Sequence, residues 1–185
     1  MTPVTLPRPQ PTTDLAVLGR STAWVGAAPF RSHLRRLVDD SGEDAGVLAL
    51  AAGVPPRTVH ALLAGPPRGR RRIRARDAAR LLNLDRARVV ELAATPVRSD
   101  DTRRRLVVLD SLGCGASVLA RYLRLDAAGV SSLAESEWCS ALMELRVAAA
   151  CGAAGLSGWW SGDAWFDDTE PARRACTTTM RDWAA

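Results

Sequence analysis

The chain has 185 residues and a formal charge of +5, carried wholly by arginine because no lysine occurs. Nearly half of it is hydrophobic but only 5% is aromatic, and Ala, Leu and Arg dominate over β-branched runs, which excludes a strand-rich protein and predicts an all-α one. No apolar stretch is long enough to suggest a membrane partner, so a soluble, cytoplasmic protein of one ordinary or two small domains is expected.

The charge is uneven. Residues 31–110 hold 17 arginines against 10 acids, and residues 111–185 hold 6 against 9. A polyanion-binding surface is therefore expected in the first region. The four cysteines, Cys114, Cys139, Cys151 and Cys176, form no CxxC pair, which fits a reducing compartment.

Residues 1–28 open with MTPVTLPRPQPTTD, a Pro- and Thr-rich composition that nucleates no helix and predicts a flexible arm. Trp24 and Val25 at its end have two readings: folded back on the first helix, or part of an arm lying along DNA. A helix then runs from Pro29 or Phe30 to about Asp39, with Phe30, Leu34, Leu37 and Val38 on one side and Arg31, Arg35 and Arg36 on the other. Ser41-Gly42 stops it.

From Ala45 to Gly65 the chain reads AGVLALAAGVPPRTVHALLAG. Numbered from Ala45, Ala49 is the small fifth residue and Gly53 the ninth, while Leu48, Ala52, Val54, Val59 and Leu62 fill the apolar places. Ala49 allows a close helix crossing, Gly53 suits a left-handed turn, and the apolar set forms the inner seam. Pro56 falls where a helix tolerates it, at the first turn. These places, with the Arg-rich helix before and two helices after, resemble the Xre/phage-repressor class of helix-turn-helix DNA-binding domains over about Phe30 to Ala94, within an expected domain of residues 29–96. The Arg, Ala and Pro usage resembles that of actinobacterial and actinophage proteins. The resemblance implies that helix 56–64 enters the major groove with Arg57, Thr58 and His60 at the bases. Arg35 and Arg36 would hold phosphates.

Six arginines follow within nine residues, Arg68, Arg70, Arg71, Arg72, Arg74 and Arg76, and read as a basic loop on DNA phosphates or in the minor groove. A helix resumes at Asp77, and another spans Arg86 to Ala93 with Val89, Val90 and Leu92 inward. Thr95-Pro96 breaks the chain. Ser99-Asp100-Asp101 then looks like an N-cap with an acidic first turn for a helix to Ser111, with Leu106, Val107 and Leu109 apolar.

The helix-turn-helix template fits again from Ala116, with Leu119, Ala120, Leu123, Leu125, Val130 and Leu133 in place. Arg124 stands where glycine is wanted, which predicts a different turn. Leu106 and Leu109 echo Leu34 and Leu37 at an offset of 72, against 71 for the motif, so a tandem duplication is expected, with residues 97–156 as a second helix-turn-helix-like domain. The base-facing places of this copy hold Asp126, Ala127, Ala128, Ser131 and Ser132. It is expected to serve packing or partner binding, with Arg121, Arg124, Ser131 and Ser132 as the alternative DNA contacts.

Residues 137–156 read as one Ala-rich helix packed on the second copy, with Trp138, Leu142, Leu145 and Ala149 near one face. The last segment, 157–185, holds four of the six tryptophans, and Trp159, Trp160 and Trp165 either cover the core or dock on another protein. Cys151, Trp165-Phe166 and Cys176 are similar to the start of WhiB-like iron–sulfur proteins, but Thr179 and Ala185 replace the other two cysteines, so no cluster is expected. His33 and His60 have no nucleophile placed beside them, and no phosphate-cradling Gly loop occurs. The expectation is a non-enzymatic, cofactor-free transcriptional regulator of tandem helix-turn-helix bundles, bound to double-stranded DNA in the nucleoid as a monomer or dimer. The alternative is an interaction module whose Trp-rich segment binds RNA polymerase or another transcription factor.

Overall fold

A computed structural model describes residues 23–65 and 69–156, and within them the chain is mostly helical with two short antiparallel ribbons. Residues 1–22 of the expected arm, Arg68, the four tail tryptophans and Cys176 lie outside the described residues. The first copy runs β1 (Trp24–Gly26), α1 (Ala28–Ser41), α2 (Ala45–Ala51), α3 (Pro56–Leu63), β2 (Arg72–Arg74), α4 (Ala75–Leu82) and α5 (Arg86–Ala94). The second runs β3 (Pro96–Arg98), α6 (Asp100–Ser111), α7 (Ala116–Leu123), α8 (Ala127–Glu135), β4 (Trp138–Ser140) and α9 (Ala141–Ala153). The correspondence between the two copies extends to the ribbons: β1 pairs with β2 through Val25 and Ile73, and β3 with β4 through Val97 and Cys139.

Local chemistry explains most boundaries. Gly42 closes α1 at φ 67, its N–H donating to Val38 O. Asp44 caps α2 by accepting from the Gly46 N–H at 2.6 Å. Gly53 makes the turn at φ 64, as its place in the motif requires. In the second copy the turn is kept rather than changed: Arg124 adopts φ 60, ψ 43, the left-handed conformation that glycine supplies in the first. A non-glycine residue is strained there by roughly 1–2 kcal/mol, and the surrounding packing must hold it.

Several expectations are corrected by tertiary pairing. Trp24 and Val25 belong to a strand, and within the stretch expected as a basic loop Arg72–Arg74 form a strand and a helix starts at Ala75, while Arg70 and Arg71 remain irregular. Residues 138–140 form β4, so the helix expected from Glu137 starts only at Ala141, where the Ser140 hydroxyl accepts from the Met143 N–H. The Ser99 hydroxyl donates to Ser136 O across the second ribbon instead of capping α6. Val90 and Val107 are 60% and 68% exposed, because the helical period that buries Val89 and Leu106 turns their next neighbours outward.

Each copy has its own core at equivalent places. Leu34, Ala49, Val59 and Leu62 pack in the first, and Leu106, Ala120, Val130 and Leu133 in the second. A third cluster joins them. Leu142 and Ala149 of α9 pack with Leu37, Val47, Leu48 and Leu50 of α1 and α2, while Val147, Ala150 and Cys151 face the second core. Helix α9, expected to pack on the second copy, does so and packs on the first as well.

Beside that seam Glu43 is only 4% exposed. Arg146 Nε and Nη2 donate to its two carboxylate oxygens at 3.1 and 2.6 Å, and Arg146 Nη1 donates to Leu123 O at 3.1 Å. Arg124 Nη1 lies 3.7 Å from the same carboxylate. A buried carboxylate without a partner costs roughly 3–5 kcal/mol, so this fork is a condition for closing the seam.

Arg124→Gly should raise unfolding stability by about 0.5–1 kcal/mol in denaturant titrations, since relief of the left-handed strain outweighs a half-exposed ion pair; a loss of stability would give the pair the larger role. The intact chain should unfold in a single transition seen by all probes, whereas two separated transitions would show that the seam does not couple the copies.

Candidate nucleic-acid interface

Helix α3 divides by its period. Thr58, Val59 and Leu62 point inward, while Arg57, His60 and Ala64 are exposed on the other side with Ala61 half-buried between them. Arg57 and His60, three residues apart, therefore share one outward face. Thr58 is only 5% exposed and cannot reach a base edge; its place beside Val59 on the core side corrects the expectation. The start of α3 offers few backbone donors, because Pro55 and Pro56 occupy its N-cap and first position. Any phosphate held here must be met by side chains, Arg57 first.

The end of α3 is clamped by arginines that composition alone does not single out. Arg31 Nε donates to Leu62 O at 2.7 Å and its Nη2 to Arg70 O at 3.1 Å. Arg35 Nη2 reaches Leu63 O at 3.4 Å, so this side chain serves the helix terminus as well as the surface. Arg80 Nη1 donates to Gly53 O at 2.8 Å and holds the motif's turn from α4. Arg36 is exposed and makes no side-chain bond among the described residues. His33 is structural, its Nε2 lying 3.0 and 2.9 Å from the Leu81 and Leu84 carbonyls.

The basic stretch is built onto the same end of α3. The Arg70 N–H donates to Ala61 O at 2.9 Å, and the Ala27 N–H to Arg71 O at 3.0 Å. Buried Ile73 anchors β2 to the core, leaving Arg72 and Arg74 on the exposed side. Arg72 Nη2 donates to Trp24 O at 2.8 Å, and the Arg74 guanidinium lies 5.8 Å from the centre of the Trp24 ring. Arg76 pairs with Asp77 at 3.5 Å. The side chains of Arg57, Arg70 and Arg71 are exposed and make no bond among the described residues, so the first copy carries uncompensated positive charge on and beside α3.

The second copy repeats the geometry with opposite electrostatics. Helix α8 exposes Ala127, Ala128, Ser131 and Ser132 and carries no cation, and Asp126 at its start accepts from the Gly129 N–H at 2.6 Å. Its ribbon also pairs an arginine with a tryptophan, Arg98 lying 5.5 Å from the Trp138 ring centre, but Asp100 and Glu137 sit 3.3 and 3.9 Å from that arginine. Hydrogen bonds from Arg103 and then Arg98 hold the Asp100 carboxyl below its ordinary range. Arg104 is likewise bonded to Asp101. Arg124, expected as a second DNA contact, instead faces Glu43 of the first copy, and Arg121 lines the groove between the copies with Val38, Val47, Val118 and Tyr122.

The cysteine of the WhiB-like resemblance is a core residue. Cys151 is buried on α9, and burial pushes its thiol up to about 12, which disfavours the thiolate a metal needs. Cys114 is buried in the same cluster, while burial also raises the half-buried Cys139 thiol. No cluster of His, Cys, Asp and Glu able to hold a metal occurs among the described residues. The helix-facing arginine contacts and both Arg–Trp stacks join residues far apart in sequence, so no local pattern signals them. No family model, curated protein or solved structure matches this chain.

Proposed function

We propose that the chain is a sequence-specific double-stranded DNA-binding regulator of transcription, acting without catalysis in the nucleoid, in the manner of the Xre/phage-repressor class. The observation that carries this is the outward face of α3 with Arg57 and His60, to which Arg70 is tied through Ala61 O, the side chains of Arg70 and Arg71 making no bond among the described residues. In this reading α3 enters the major groove, where an arginine binds guanine O6 and N7 with both arms of its guanidinium. Arg70, Arg71 and the exposed side of β2 meet the phosphates that flank the groove. The second copy, acidic on α8 through Asp126 and Glu135 and acid-paired on its ribbon, stays off the DNA. One chain then reads one asymmetric site.

Selection of duplexes from a random pool supplies the test. An enriched motif is expected, and Arg57→Glu should weaken it by at least the roughly 1–3 kcal/mol of one bidentate base contact. Arg71→Ala should instead weaken all duplexes alike and reduce the salt slope by about one. Binding with no enriched motif would reduce the arginines to non-specific attraction and turn attention to a protein partner of residues 157–185. Sizing the complex should give one chain per duplex, and a two-to-one complex on a palindrome would contradict the asymmetric site.

A further inference from the structure

Helix α2 is buried to an unusual degree for an element of seven residues: Gly46, Val47, Leu48, Ala49 and Leu50 are all buried in succession. A short helix normally turns one side to water, but this one is enclosed on both sides, by α3 of its own copy and by α9 of the other. The approach is close. A side-chain carbon at Gly46 would lie 3.6 Å from Ala149 Cβ and 3.9 Å from His60 Nε2, so α9, α2 and the exposed face of α3 meet at this point.

The polar half of the seam is equally specific. Glu43 stands immediately before the Asp44 cap that starts α2, and Arg146 is the residue that ties its carboxylate to the last carbonyl of α7. The planar guanidinium has one rigid geometry for this three-way contact, which a flexible ammonium does not reproduce. Its neighbour Arg124 is held in the left-handed conformation with its guanidinium against Glu43 and Gly42. The second copy therefore grips the first at the α1–α2 junction, the point from which the angle of the whole motif is set.

We propose that the second copy is a clamp, with Arg146 as a positioning residue that sets the pose of α2 and α3 and hence the discrimination of α3 between sequences, without touching DNA. This rests on the DNA-binding reading, and it assigns to the degenerate copy a role other than base reading. The physical reason is that bidentate base contacts demand angular accuracy, while phosphate attraction tolerates movement.

The test compares the full chain with Arg146→Met, Arg146→Lys and the double variant Glu43→Met with Arg146→Met. Without DNA, amide exchange in α2 and α3 should rise about tenfold relative to α4 in Arg146→Met, less in Arg146→Lys, and return near the original rate in the double variant, where an apolar pair replaces the buried ions. Should Arg146→Met fail to fold, the lysine variant and the double variant give the same comparison. Unchanged α2 and α3 exchange, or no recovery in the double variant, would overturn the clamp. With DNA, Arg146→Met should lose about tenfold in affinity for the selected site, within the range of coupling between linked sites, and keep its affinity for a scrambled duplex at the same salt. Equal loss on both duplexes would overturn it. If the unaltered chain shows no selected site, the DNA-binding reading fails, and the exchange comparison alone decides whether the clamp exists.

Discussion

The buried carboxylate of Glu43 is the constraint around which the two copies are arranged. With 4% of its surface exposed it has to be matched within the protein, and the match comes from 103 residues away in the sequence. Desolvating both ions makes such a pair a poor source of net stability, but removing one partner is costly, so the pair acts as a register mark. The placement of α9 over α1 and α2 satisfies Glu43, Leu123 O and the apolar contacts of Leu142 and Ala149 together. The apolar seam supplies the attraction, and the ion pair selects its geometry.

The two copies correspond in structure and differ in charge. The two copies share ribbon, helices and turn, including a left-handed residue at the same place, yet their outward faces differ. Among the described residues, arginines on and beside α3 in the first copy have no acid beside them, apart from the pairing of Arg76 with Asp77. In the second, the arginines of the ribbon and of α6 are answered by acids, three of them close in sequence, Arg98 by Asp100, Arg103 by Asp100 and Arg104 by Asp101, and Arg105 by Glu144 of α9. One scaffold thus presents a cationic surface once. Exposed ion pairs of this kind stabilise little, so their main effect is on the field that a polyanion meets.

Much of this architecture was legible along the chain. Gly42, Gly53 and Gly65 mark left-handed turns because only glycine enters that region without strain, Asp44 and Pro56 sit where helix starts want them, and Leu34, Val59 and Leu62 recur as Leu106, Val130 and Leu133. The candidate site was half legible. Arg57 and His60 fall on the outward face, but Thr58 turns inward by one step of the helical period, and Arg124 turns to the other copy.

The sequence by itself determined the helical class, the motif and its repetition, since apolar period, caps and turn residues act within a few positions of one another. Tertiary structure alone decided the ribbons, whose strands of three residues are too short to show a period and exist only because a partner strand far along the chain completes their hydrogen bonds. It likewise decided which arginines are structural. Arg31, Arg80 and Arg146 carry the same side chain as Arg57 and Arg71, and what separates them is whether folding brings a carbonyl or a carboxylate within reach, a property of distance in space rather than of residue type.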